Sequence, residues 1–231
     1  MARIDKGALT KLEIVAEASK QFLEKGYSNT TISSISQALG MSKGNLTFYY
    51  KSKEHLLAEL VDIMCEFHWK QMEKEAGEGI SSIMAICLEL TAMAAACEDD
   101  AIIRDFFIAA YTSPLSLAMI RKNDKERAKQ VFRDYRPDWT DEQFGEAELL
   151  VSGVEYATLM TAGSNVALET RIAGGLNIIL GIYGIPEEIR TLKTKKVFAM
   201  DYRSIGKKAI ADFKLHVEST NKQAFRDMLN L

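Results

Sequence analysis

Apolar residues recur every three to four positions through most of the chain and never alternate over a long stretch, so the pattern predicts helices throughout. The first opens at Thr10-x-x-Glu13, the spacing of a capping box, carries Leu12, Val15, Ala16, Ser19, Phe22 and Leu23 on one face, and stops at Gly26. Thr31 caps a short second helix that turns Ile32, Ile35, Ser36 and Leu39 inward, and Gly40 closes it. Ser42 caps a third, Lys43 to Tyr49, and a fourth runs from near Ser52 to about Glu75. Three short helices with tight glycine turns, followed by a long one, form a helix-turn-helix pattern.

Beyond Gly77 and Gly79 the composition shifts. The helix of about Ile80 to Cys97 has almost no polar face, Glu89 being the main interruption, and therefore belongs inside. Ala101–Thr112 is apolar on most sides, whereas Pro114 to Tyr135 is charged along one face. A helix from near Thr140 to about Ala162 aligns Ala147, Leu150, Val151, Val154 and Ala157. The next, Leu168 to Tyr183, aligns Ile172, Leu176, Ile179, Leu180 and Tyr183. Two more, Glu187–Phe198 and Arg203–Thr220, complete an all-α chain that divides into a three-helix unit over 1–55 and a larger helical unit over 56–231.

Charge changes the picture. The net charge is −3, yet residues 1–55 carry eight Lys or Arg against five Asp or Glu, a local +3 on a body of −6. A basic amino-terminal unit on an acidic body fits a local site for a polyanion. Cys65, Cys87 and Cys97 lie within apolar helical patterns and read as reduced core thiols. Cys65 and His68 fall three apart, but no second ligand pair accompanies them, so neither a metal nor a cofactor is expected. The polar opening segment, and the lack of about 18 uncharged apolar residues in a row, point to a cytoplasmic protein without a membrane partner.

In GMSKGNLTFYYKSKE (Gly40–Glu54) the third helix has the chemistry of a reading head. Lys43 can reach guanine acceptors or phosphate, Asn45 and Thr47 can hydrogen-bond, and Phe48 can pack on a thymine methyl, while Leu46 points inward. Ser33, Tyr49, Lys51 and Lys53, with the backbone N–H groups that open the second and fourth helices, suit phosphates. The plainer alternatives are Tyr49 and Tyr50 as core and the two lysines as solvated surface. His55, His68 and His216 read as surface, helix-packing and surface or interface residues. Gly40-x-Ser42-x-Gly44 matches a hydrolase nucleophile elbow in letters only, since helices rather than a strand flank it.

Thr30-Thr31-Ile32, Leu39-Gly40-Met41-Ser42-Lys43-Gly44, Leu46, Tyr49-Tyr50 and Lys51-Ser52-Lys53-Glu54-His55-Leu56 stand in the order and spacing of the TetR family of bacterial repressors, which the chain resembles over about Leu9 to Leu60. The departures are Thr47, where the family commonly has tyrosine, and the aromatic order of Phe48 and Tyr50. Carried over by position, the resemblance implies groove contacts from Ser33, Lys43, Gly44, Thr47 and Phe48, and DNA-backbone contacts from Thr31, Ser42, Asn45, Tyr49 and Lys53. It further implies a homodimer on a near-palindromic double-stranded DNA operator, a repressor rather than an enzyme, and a carboxy-terminal ligand-binding and dimerisation domain that releases DNA when an apolar or amphipathic small-molecule effector binds. Cys87, Leu90, Met93, Phe106, Phe107, Tyr111, Met119, Tyr156 and Met160 are the candidates for that pocket. Dimer contacts are expected from the helices near 140–163 and 168–184, through Ala147, Gly153, Ala157, Gly174 and Gly175, with Leu176 or Leu180 as points where an aspartate would break them. The rival reading is a helical ligand carrier, or a protein regulated by a partner, with a degenerate DNA-binding domain.

Overall fold

The structure is a computed structural model that describes residues 6–77, 83–160 and 165–229, with side chains as far as Thr220. Helices α1 (Lys6–Lys25), α2 (Ile32–Ala38) and α3 (Lys43–Tyr49) form the amino-terminal unit, and α4 (Lys53–Ala76) leads out of it. There follow α5 (Ile83–Asp99), α6 (Ala101–Thr112), α7 (Pro114–Phe132), α8 (Asp141–Met160), α9 (Leu168–Ile182), α10 (Glu187–Phe198) and α11 (Tyr202–Leu229). The fold is all-α, with no strand among the described residues.

Local chemistry sets the short elements. Thr31 Oγ1 accepts from Ser34 N at 3.0 Å and Ser34 Oγ accepts from Thr31 N at 3.1 Å, a reciprocal cap that satisfies two N–H groups at the start of α2. Ser42 Oγ accepts from Asn45 N at 3.1 Å and starts α3. Gly26 (φ +90°) and Gly40 (φ +64°) adopt the left-handed backbone that ends α1 and turns α2 into α3. One expectation fails here: α1 begins a full turn before Thr10, whose hydroxyl donates to the Lys6 carbonyl inside the helix instead of capping it.

The nearly featureless apolar surface of α5 has a direct consequence. It is the central helix, packed against α4, α6, α8, α9, α10 and α11, with Cys87, Leu88 and Ala95 fully buried. Gly206 lets α11 come close, because a Cβ there would stand 2.5 Å from the Ala92 carbonyl oxygen. Helix α7 ends at Phe132 rather than Tyr135, the chain turning through Arg136 ahead of Pro137, which disfavours helix at the residue before it. Helix α11 runs past Thr220 to Leu229, since no glycine or proline interrupts that segment. The expected helix starts and ends at Ile80 and Ala162 lie outside the described residues. None of the described helices is long and apolar enough to cross a membrane.

Candidate functional site

Helix α3 is held by one fully buried side chain, Leu46, which leaves Lys43, Gly44, Asn45, Thr47 and Phe48 exposed together. Phe48 is 82% exposed, its ring set edge-on against Tyr49 at 5.3 Å. An aromatic ring so placed gains nothing from the protein's own core, and its apolar surface is available to an outside partner. Thr31 and Ser42 are exposed at the two helix starts, and Ser33 and Tyr49 are half-buried beside them. Thr47 Oγ1 donates to the Gly44 carbonyl at 3.1 Å, and Tyr50 is buried, so the core reading holds for that tyrosine. The elbow-like Ser42 hydroxyl is a helix cap between two helices.

Lys53 is less free than a surface lysine. Its ammonium donates to the Tyr27 and Thr30 carbonyls at 2.9 Å each and sits 3.8 Å from the centre of the Tyr27 ring. Burial lowers its pKa, against the pull of Glu54 and Asp105. Asp105, on α6, clasps the same α1–α2 turn from the other side, accepting from Ser28 N at 2.8 Å and from Ser28 Oγ at 2.5 Å. A Cβ at Gly26 would lie 2.8 Å from Asp105 Oδ2, so the approach requires glycine as well as its positive φ. Neither clasp was visible in the sequence, where Asp105 lies 77 residues from Ser28.

Behind this unit, a cavity of about 50 Å³ lies between α4, α5, α6, α7 and α8. Of the nine expected lining residues, Met93, Phe106, Phe107 and Tyr111 are brought together there. Cys87 and Leu90 are buried but do not line it, Met119 and Met160 are half-buried elsewhere, and Tyr156 is 37% exposed. The polar part of the wall, which includes His68, Glu89, Asp124 and Glu155, is not evident from the sequence. Glu89 meets Arg127 Nη1 with both carboxylate oxygens at 3.1 Å, and Arg127 Nη2 donates to the Cys65 carbonyl. Tyr111 OH donates to Glu155 Oε2 at 3.0 Å.

The α8–α9 surface divides differently from expectation. Ala147, Leu176 and Leu180 face the protomer's own core, and Gly175 approaches α8 so closely that a Cβ would meet Thr158 Oγ1 at 2.5 Å. An aspartate at Leu176 or Leu180 would therefore unfold the protomer, which disqualifies both as interface probes. The open face consists of Leu150 (63% exposed), Gly153 and Ala157 on α8 with Gly174 and Ile178 (52% exposed) on α9, lining one shallow groove. A Cβ at Gly153 or Gly174 would meet nothing.

Residues 14–60 match the profile described as bacterial regulatory proteins, tetR family. The chain is similar to the HTH-type transcriptional regulator QacR of Staphylococcus aureus (strain Mu50 / ATCC 700699), at 35% identity over 65 residues. That match takes in 28% of this chain and 34% of QacR, about a third of the relative's length. Among solved structures, CprB of Streptomyces coelicolor in complex with its biological operator sequence is 21% identical, covering 84% of this chain and 97% of that one, with a TM-score of 0.45. A gamma-butyrolactone receptor (ArpA-like protein) is 19% identical, covering 90% and 99%, with a TM-score of 0.40.

Proposed function

We propose that this chain, whose residues 14–60 match the tetR family of bacterial regulatory proteins, is a homodimeric repressor that leaves a near-palindromic operator when a small effector enters the cavity behind α6. A regulator of this family is a DNA-binding protein and not an enzyme. Residues 1–55 are the reading unit and 56–231 the sensing and dimer-forming unit, with the boundary inside continuous helix α4. Ser33, Lys43, Gly44, Thr47 and Phe48 enter the groove, while Thr31, Ser42, Asn45, Tyr49 and the remaining N–H of Lys53 hold phosphates.

One observation carries the reading: the helices that wall the cavity also hold the reading unit. Helix α4 supplies Val61, Met64 and His68 to the wall, and its other end fixes the α1–α2 turn through Lys53. Helix α6 supplies Phe106, Phe107 and Tyr111, and one residue earlier it grips Ser28 with Asp105. At 1.5 Å per residue α4 is about 36 Å long, enough to carry a small displacement from cavity to turn. A ligand that favours one arrangement of α4 and α6 shifts the spacing of the two recognition helices, and DNA weakens the ligand by the same factor.

Selection of bound duplexes from a random pool, followed by a compound screen for release, tests this directly. The expected sites are paired halves about 34 Å apart, with affinity falling steeply in salt. A folded dimer that enriches no paired half-site at low salt would rule the function out. Lys43→Ala is expected to cost about 2 kcal/mol and relax one base position, whereas Lys53→Ala weakens all sequences alike. Asp105→Ala should leave operator affinity of the free protein within about threefold while cutting an effector response of about tenfold to below threefold. A full response in that variant, measured by fluorescence anisotropy, excludes the Asp105 clasp as the link.

A further inference from the structure

The cavity described above does not end at its polar wall. A second one, about 40 Å³, adjoins it across Glu89, Asp124 and Glu155 and extends to Glu148 of α8 and Tyr183 beyond α9. The two share Glu89, Asp124 and Glu155 in their walls, while Met93, Phe106 and Phe107 line the first alone and Glu148 and Tyr183 the second alone.

Four carboxyls and one guanidinium face this space. The guanidinium of Arg127 is already engaged by Glu89, by the Cys65 carbonyl and by the Trp69 ring 5.0 Å away, with Asp124 Oδ1 at its edge, 3.4 Å from Nη1. Arg121, also on α7, donates from Nε to Ser152 Oγ at 2.9 Å. Glu155 and Glu148 are met by phenols, Tyr111 and Tyr183 respectively. Glu148 is only 2% exposed, and its Oε2 has no hydrogen-bond partner among the described residues. The same holds for Nε2 of His68 on α4, a residue 4% exposed, whose imidazole is kept neutral by burial and by Arg127 with a pKa of about 4. A buried polar atom without a partner costs about 1–3 kcal/mol, which a ligand that pairs with it could recover.

We propose that the joined cavities take a small organic cation with a flat apolar body, its N–H groups among Glu155, Asp124 and Glu148 and its body against Phe106, Phe107 and Met93. The inference deepens the effector reading above and rests on it for its use in the cell. An anion would be placed among three carboxyls, and an uncharged apolar molecule would leave Glu148 Oε2 unpaired. A cation supplies donors to carboxylates and gains from the aromatic faces.

Binding also moves a proton. Burial pushes Asp124 up to about 7, Glu148 up to about 8 and Glu155 well above the carboxylate range, so the empty cavity holds carboxylic acids at neutral pH. An entering cation favours the ionised form, the acid O–H breaks, and the proton leaves to the buffer. Affinity therefore rises with pH up to the pKa of the empty site and is level above it.

Calorimetric titration of the full chain without DNA, using benzamidinium, benzamide and benzoate, tests this with three probes of one shape and different charge. Benzamidinium keeps its charge across the range used. It is expected to bind at least about tenfold tighter than the other two at pH 8, with affinity rising about tenfold per pH unit for one proton released between pH 6 and 7. The heat should depend on the ionisation enthalpy of the buffer. Glu155→Gln and, separately, Glu148→Gln, each shaped like the protonated acid and checked for thermal unfolding, should reduce the preference below about threefold. Equal or tighter binding of benzoate or benzamide overturns the proposal, as do absent benzamidinium binding and pH-independent binding untouched by both variants. If benzamidinium binds as expected but leaves operator affinity unchanged, the cation site stands and effector control falls. If a neutral compound releases the operator while benzamidinium does not bind, effector control stands and the cation site falls.

Discussion

In the homodimer proposed above, Leu150→Asp combined with Ile178→Asp will give a folded monomer and lower operator affinity by about a thousandfold, to the level of sequence-independent binding. Both side chains are more than half exposed on the protomer and line one groove with Gly153, Ala157 and Gly174. On the lone protomer, carboxylates there stay in water and leave the core untouched. In a two-fold interface each charge meets the same patch of the other copy, so four carboxylates would be buried unpaired. Loss of the second recognition helix then removes half of the groove and phosphate contacts at once. Sedimentation at micromolar concentration should show a monomer with unchanged helicity. A variant that remains dimeric places the interface elsewhere, with α11 the next surface to test.

The second large effect concerns pH. Between pH 6.5 and 8 the protein is expected to lose about 3 kcal/mol of stability, lowering its thermal midpoint by about 6–12 °C. Glu148, Asp124 and Glu155 have folded pKa values raised above their ordinary ones by burial, the first to about 8 and the second to about 7. In that window the unfolded chain has already given up these protons and the folded one still holds them. Their contribution is complete below the ordinary carboxylate range and disappears as pH rises through the folded values. His68 acts in the opposite sense, since its folded pKa of about 4 makes the native state lose stability as pH falls below about 6.5. At pH 6.5 the unfolded imidazole is still about half protonated, so across the window His68 offsets only a few tenths of a kcal/mol of the carboxyl slope. Glu148→Gln should remove about 1.4 kcal/mol per pH unit of that slope. Unfolding scans at pH 6.5 and 8.0 at fixed ionic strength decide the matter, and a flat or rising midpoint contradicts the buried-acid reading.

Much of the architecture was legible because its signals are local. Caps at Thr31 and Ser42, glycines at 26 and 40, and the strong apolar content of α5 act within a few residues, and the bounds of α3, α6 and α10 fall as the pattern predicts. Exposure of Lys43, Asn45, Thr47 and Phe48 was equally legible, since it follows once Leu46 is turned inward. Thr10 misled because a hydroxyl that can cap a helix can also bond back within one.

The rotation of α8 was not legible. Its polar stripe of Glu148, Ser152 and Glu155 has the spacing of a solvated face, and its aliphatic Leu149 and Leu150 have the look of core. In the fold the first two of that stripe are buried, Glu155 lines the cavity, and the leucines are exposed. Hydrophobic pattern places the apolar side of a helix against whatever is adjacent, and the chain alone does not say which neighbours those are. The sequence by itself therefore determined the helices, their order and the chemistry of the exposed α3 face, all set by interactions within a turn or two. Only tertiary structure decided the acidic cavity and the clasps on the α1–α2 turn. These depend on Asp105 meeting Ser28 and on Glu89, Asp124 and Glu155 converging from three helices, and no local spacing encodes such long-range meetings.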